Sequence, residues 1–233
     1  MLNSTKKYTP DMMTFELLPS YAGDVQKRIA DTSDMLFRIQ QDRMPDKAIN
    51  VLTLASDQLK INGLAKYKGF VGTISYARLI DNAEKADKEA QRISDSFQEI
   101  YIGLYKENML LDTMKQVLEC CIQELNEASA ALSEHMKNKD KDTDWKYYQI
   151  LADKKINDLV ISANIASQGI MMISDMYTRN SAMSQRIDSL NVNTLVLWRA
   201  GIAELRNAPD KDKIDKVCGV EDVISAAIAN ITR

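Results

Sequence analysis

The sequence predicts an all-α protein: a long antiparallel coiled-coil helical hairpin with shorter helices packed at its open end. Three observations predict it. An apolar stripe at alternating spacings of three and four runs from Tyr76 to Leu132 with no proline inside it. A second run of similar length, Trp145 to Leu205, also lacks proline and is broken only by Gly169 and Gly201. Between them the segment KNKDKDTD, residues 137–144, holds eight residues without an apolar one, which is a turn signal. A short connection places neighbouring helices antiparallel.

Bulk composition agrees. The chain of 233 residues is 45% hydrophobic and 27% charged but only 6% aromatic, with eight glycines and four prolines, so helix breakers are scarce. Residues 1–19 carry Pro10 and Pro19 and no clear period, which predicts a flexible N-terminal arm. Within it Met12, Met13, Phe15, Leu17 and Leu18 are able to dock on a helix. Residues 20–233 form one elongated helical domain, with hairpin arms at about 73–138 and 143–206.

Ser20 is the expected N-cap of a first helix running to about Arg43, with the stripe Val25, Ile29, Thr32, Leu36 and Ile39. Pro45 separates it from a second helix, Asp46 to Ile61, whose apolar residues are Ile49, Leu52, Leu59 and Ile61. Gly63, Gly69 and Gly72 then predict a bend. The first long arm follows. Its stripe is Tyr76, Leu79, Ala83, Ala86, Ala90, Ile93, Phe97, Ile100, Leu104, Glu107, Leu111, Met114, Leu118, Cys121, Leu125, Ala128 and Leu132. Only Glu107 is polar. A period of 3.5 sustained this long marks a coiled-coil seam, because a straight helix of 3.6 residues per turn drifts off it. At about 1.5 Å per residue the stripe spans roughly 85 Å and needs a partner of like length.

Thr143 or Asp144 caps that partner. Its stripe reads Leu159, Ala163, Ala166, Ile170, Ile173, Tyr177, Asn180, Ser184, Ile187, Asn191, Thr194, Trp198, Gly201 and Leu205, with the polar members gathered between Asn180 and Thr194. For a turn near residues 140–141, equal rise sets Leu104 against Tyr177 and Glu107 against Ser174, within a turn of Arg179. The stretch NAPDKDKIDKVCG is a linker around Pro209, and Val220 to Ile231 is a short amphipathic helix. That helix is expected to pack back on the first two.

Several functional classes are disfavoured at this stage. A formal net charge of -3 gives no general grip on nucleic acid. The start, MLNSTKKYTPDMM, lacks the apolar region of a secretion signal. The longest candidate membrane span, Leu159 to Ser174, is sixteen residues and holds Ser162, Asn164, Ser167 and Gln168, where about twenty predominantly apolar residues are needed. The expected location is cytoplasmic. Three cysteines, with Cys120 and Cys121 adjacent in a helix, suit a reducing compartment.

Catalytic motifs for nucleotides, zinc or acyl transfer are missing, and neither a metal nor a cofactor is expected. The lone His135 lies near the charged tip and should face solvent. Cys121 falls on the seam, where a thiol packs and is usually inert. The best polar constellation is Glu107, Arg179, Asn180, Arg186, Asp188, Asn191 and Thr194. It reads either as a ligand or partner site or as a register-fixing polar layer, with Glu107 pairing Arg179 across the hairpin. Tyr101, Tyr105 and Tyr177 should cluster beside it.

One resemblance adds to this. Asp158-Leu159, Ala166, Gln168-Gly169, Arg179-Asn180, Ile187-Asp188 and Thr194 fall at the offsets of a late helix of the toxic anion resistance (TelA-like, tellurite resistance) family, which the segment resembles. The likeness extends over roughly residues 60–205. Arg179-Asn180 stands where the family has a double asparagine, and its threonine run is reduced here to Asn191, Asn193 and Thr194, which marks a divergent member. The resemblance implies a cytoplasmic bacterial protein linked to tellurite and envelope stress, with no established reaction and no catalytic residues. The expected function is therefore a non-enzymatic helical scaffold acting through a protein partner or self-association. The alternatives are a membrane-acting helical protein of the pore-forming or remodelling type, and thiol-based oxyanion handling by Cys120 and Cys121.

Overall fold

A computed structural model describes residues 8–64, 67, 76–138, 145–207 and 210–231, apart from the side chains of Lys60, Asn62, Tyr76, Ala77 and Leu79. Every regular element among them is helical. After two 3-10 turns, Pro10–Met12 and Leu18–Ser20, come α1 (Gly23–Gln41), α2 (Met44–Asn62), α3 (Tyr76–Asn138) and α4 (Trp145–Ser189). A π-helix (Leu190–Leu195), α5 (Val196–Asn207) and α6 (Lys211–Ile231) complete the chain. The caps proposed at Thr143 and Asp144, the glycines Gly69 and Gly72, and Pro209 lie outside the described residues.

The chain divides into two compact units where the sequence predicts one domain: Met1–Gln41 with Met109–Tyr177, and Asp42–Asn108 with Thr178–Arg233. Each has its own apolar core. The physical reason is that the two flanking helical segments divide their burial. α1 covers one stretch of the seam, while α2 and α6 cover another.

In the first unit α1 buries Val25, Ile29, Thr32 and Leu36, as its period requires, with Ile39 half-buried. Leu111, Met114, Leu118, Cys121, Leu125, Ala128 and Leu132 form the α3 side of this core. Gly169 of α4 lets Leu118 approach so closely that a Cβ there would sit 2.9 Å from Leu118 Cδ1. The segment before α1 is docked rather than flexible over its described part. Met13 and Leu18 are buried, and the Tyr148 hydroxyl donates to the Met13 carbonyl at 2.8 Å. Tyr21 donates likewise to the Ala128 carbonyl at 3.0 Å. Ser20 does not cap α1; its hydroxyl donates to Leu17 O.

These two phenols predict an alkaline sensitivity. Burial raises the Tyr21 pKa well above the usual 10.0, with smaller effects from Tyr8 and Tyr148, and burial raises that of Tyr148. A raised folded-state pKa gives stability that is complete below the unfolded value and is lost as pH rises through the folded one. Lys155 has the opposite sign. Its ammonium donates to Pro19 O and Gln26 Oε1, and burial lowers its pKa from 10.5, so its charging cost vanishes as pH approaches that value. Of these three groups, the two phenols are the ones that still act above 10.5. Melting temperature should fall between pH 10.5 and 12, and the double variant Tyr21→Phe, Tyr148→Phe should flatten that fall; an unchanged slope would refute the assignment.

In the second unit Ala83, Ala86, Ala90, Ile93, Phe97, Ile100 and Leu104 are all buried, so the α3 stripe is followed through its described apolar positions. Partners occur in reverse order along the chain. Asn191 accepts from Ser94 Oγ at 2.9 Å, Arg199 reaches Asp87 at 3.3 Å, and Arg206 reaches Glu84 at 3.3 Å. The segments are therefore antiparallel within this unit. Such exposed ion pairs contribute little energy, but they record the register.

The second arm's stripe differs from expectation from Tyr177 on, where Met176 is buried instead. Met183, Ile187, Leu190, Leu195, Trp198, Ile202 and Leu205 are buried, whereas Ser184, Asn191 and Thr194 stand half-buried on its flanks. Up to Leu190 the threes and fours alternate in the opposite order to the one expected, and the step from there to Leu195 is made by the π-helix. Its extra residue makes Leu190 and Leu195 five apart yet both inward, which resets the phase of the stripe.

α6 begins earlier than expected because Asp210 Oδ1 accepts the Asp212 and Lys213 amides, capping its first turn. Its inward stripe is Ile214, Val217, Cys218, Glu221, Ile224, Ile228 and Ile231, while Val223 is exposed. It packs on α2, the second of the two helices expected, and on α5 and the π-helix. Gly201 permits its approach to α5, since a Cβ there would lie 2.9 Å from Val217 Cγ2. Gly201→Val should destabilise the protein by about 1–3 kcal/mol through overpacking, despite about 0.3–0.5 kcal/mol regained in helix propensity. A higher denaturant midpoint would show that the approach is not tight.

Candidate functional site

The polar residues singled out in the sequence separate into three groups in the second unit. The first is a node on the α3 stripe. Glu107 accepts the Met44 amide on Oε2 at 2.8 Å and Asn180 Nδ2 on Oε1 at 2.9 Å. Asn180 Nδ2 also donates to Asn108 Oδ1 at 2.9 Å. Met44 opens α2, whose preceding residue Arg43 offers no side-chain cap, so Glu107 satisfies one of the donors that every helix start leaves open. A carboxylate at a helix N-terminus is also favoured by the macrodipole. This explains the one polar break in the seam.

Asn180 is fully buried and its Oδ1 finds no hydrogen-bond donor among the described residues. Arg43 Nε and Nη2 are likewise buried without acceptors. The expected pairing of Glu107 with Arg179 is replaced. Glu107 is held by Asn180 and α2, while Arg179 is exposed and forms no ion pair among the described residues. Ser94 with Asn191 and Glu107 with Asn180 show facing residues shifted toward higher numbers on the second arm.

The second group is Asn191 with Ser94, a half-buried pair. The third surrounds the π-helix. Thr194 lines an open groove of about 510 Å³ together with Gln185, Arg186 and Ser189 on one wall and Asn230 on α6. Its apolar floor includes Leu190 and Ile231, both buried. Asp188 is exposed and does not line the groove. Sequence reasoning found Arg186 and Thr194 but not the groove, because the π-turn that carries Thr194 breaks the helical period.

A further polar cluster went unread. Glu221 Oε1, on α6, accepts the Leu64 amide at 2.7 Å and the Trp198 indole N–H at 3.1 Å. Cys218 Sγ donates to the Leu64 carbonyl at 3.1 Å. One turn of α6 thus grips both polar groups of the residue just past the end of α2.

The remaining candidates are placed as follows. Cys121 is buried, as expected of a seam thiol, and Cys120 is exposed with its thiol 3.3 Å from Glu124 Oε1. His135 is not fully solvent-facing: it is half-buried and meets Tyr148 edge-on, with ring centroids 6.1 Å apart. Tyr101 and Tyr105 stand 48% and 59% exposed on the outer face of α3 beside Ile102, and Tyr177 is exposed too, so they do not form an inner cluster.

Among the described residues one helical run, Trp145–Asn207, is long and apolar enough to cross a membrane by length and composition. Its inner side is core, with Leu159, Ala166 and Ile173 buried, while Val160, Ile161 and Ile165 are exposed. Comparison with protein-family models, curated proteins and solved structures gives no match.

Proposed function

We propose that the chain is a non-enzymatic helical scaffold that works by binding a protein partner or a second copy of itself, in the cytoplasm. The carrying observation is the Tyr101, Ile102 and Tyr105 face of α3. Three large apolar side chains at helical spacing are left outside the core, and two are tyrosines, a type enriched at protein interfaces. The likeness to the toxic anion resistance family supports a role in tellurite or envelope stress.

Two measurements test this reading. Sedimentation velocity should show concentration-dependent association that Tyr101→Glu with Tyr105→Glu abolishes. Expression in a tellurite-sensitive bacterium should raise the inhibitory concentration, and the same double variant should cancel the gain. A monomer at all concentrations, with protection unaffected by the substitutions, would rule the reading out.

A membrane role is the second reading. It is favoured by the uncharged residues 159–174 of α4, of which Val160, Ile161 and Ile165 are exposed. Flotation with neutral liposomes decides it: a protein that stays at the bottom of the gradient excludes this route.

A further inference from the structure

The outward face of α4 in the first unit carries a second stripe that the core does not use. Asn157, Ile161, Asn164, Gln168, Met171 and Asp175 are all exposed, opposite the buried Leu159, Ala166 and Ile173. Their spacing is four, three, four, three, four, the spacing at which helices pair. Val160, Ile165 and Met172 stand exposed beside them. No charged residue occurs from Leu159 to Ser174, roughly 24 Å of helix. A solvated helix face carries charges, and an uncharged strip with large apolar groups marks a surface made to be covered.

The residues on the strip decide what covers it. Asn157, Asn164 and Gln168 are carboxamides. In the hydrocarbon of a bilayer they would find no hydrogen-bond partner. A carboxamide both donates and accepts, so a second carboxamide or a carboxylate satisfies it. The order of spacings reads the same in both directions, so a second copy lying antiparallel falls into register. Ile161 then meets the second copy's Met171, Asn164 its Gln168, and Asn157 its Asp175, each contact occurring twice about the two-fold axis. Lys154 is exposed on the same face one turn before Asn157, which places it next to that Asp175. Each amide faces a polar group, and no like charges meet. Parallel pairing would set Asp175 against Asp175.

We infer that the outward face of α4, over residues 157–175, pairs antiparallel with the same face of a second copy of this chain. The pairing does not rest on the Tyr101 and Tyr105 face. One strip of about five turns is a small interface, so the pairing is weak and is best read by trapping it.

Single cysteines read the register. The background is Cys120→Ser with Tyr101→Glu and Tyr105→Glu, which removes the exposed native thiol and silences the tyrosine face. Asn157→Cys and Asp175→Cys variants of it are mixed at near-millimolar concentration and treated with a short bis-maleimide. The mixture should give at least fivefold more cross-linked dimer than either variant alone, because in this register two copies of one position lie about 27 Å apart. Adding Ile161→Lys to both should cut the mixed product at least fivefold. Ile161→Lys together with Met171→Glu in each chain should restore it, since each new lysine then meets a new glutamate. All these positions are exposed, so melting temperatures should not change. The inference is overturned when either cysteine variant alone cross-links as well as the mixture, when the mixture gives no dimer, or when the double charge variant fails to recover it. Flotation with neutral liposomes that Ile161→Lys abolishes, without cross-linking in solution, assigns the strip to lipid and overturns it too. Failure here leaves the tyrosine-face reading standing, because that face is altered throughout.

Discussion

Glu221→Leu is expected to lower unfolding free energy by about 2–5 kcal/mol. The substitution removes the one acceptor shared by the Leu64 amide and the Trp198 indole. Each buried donor left without a partner costs about 1–3 kcal/mol, and leucine restores volume without restoring an acceptor. Glu221 is only 2% exposed and Trp198 is fully buried, so water cannot replace it without opening the core. For a chain of this size that loss corresponds to a melting temperature lower by very roughly 5–15 °C. Glu221→Gln keeps a carbonyl oxygen and should lose less. Trp198→Phe in the leucine background removes one stranded donor, so the pair should cost less than the sum of its parts. A leucine variant within 0.5 kcal/mol of the parent, measured by denaturant titration, would show that α6 does not hold the end of α2 in this way.

Glu107→Leu is the second large effect, at about 2–4 kcal/mol. By period alone leucine is the residue the stripe calls for at this position. The structure makes it wrong, because Glu107 closes the start of α2 through Met44 N–H and takes one of the two hydrogen bonds of buried Asn180. The loss leaves an open helix-start donor and a half-satisfied amide in the interior. Adding Asn180→Leu should recover part of the loss, since two facing apolar groups replace a polar pair, with a coupling of at least 1 kcal/mol. If the single variant is more stable than the parent, Glu107 is a tolerated blemish rather than a cap.

The helices were legible because their evidence is local. The stripe from Ala83 to Leu132 repeats every three and four residues, and every apolar member of it is buried. The α1 stripe is read nearly as well. Periodicity fails where a helix changes pitch, and the π-helix does so with no glycine or proline to announce it. Hence the period sets Thr194 inward although Leu195 takes that side, whereas Asn191 in place of Leu190 follows from the order of threes and fours, which is already off at Tyr177. Val223 was misplaced for a simpler reason: the α6 helix begins at Lys211, and its phase is set by Ile214 and Val217 upstream.

The polar sites divide along the same line. Glu107 and Asn180 were found because each interrupts an apolar stripe. Glu221 was missed because it sits among Asp and Val residues in a helix that reads as amphipathic with or without it. Its partners lie at Leu64 and Trp198, far away along the chain.

By itself the sequence determined that the protein is helical, where the two longest helices run, and which face of α3 is buried. Those follow from hydrogen bonds and apolar spacing within a few residues, which need no knowledge of the partner. Only the tertiary structure decided the division into two units, the cap that Glu107 gives to α2, the grip of Glu221 on Leu64, and the groove beside the π-helix. The cap and the grip depend on bringing distant donors and acceptors within about 3 Å, the division and the groove on how the helices share apolar burial, and no periodicity encodes either.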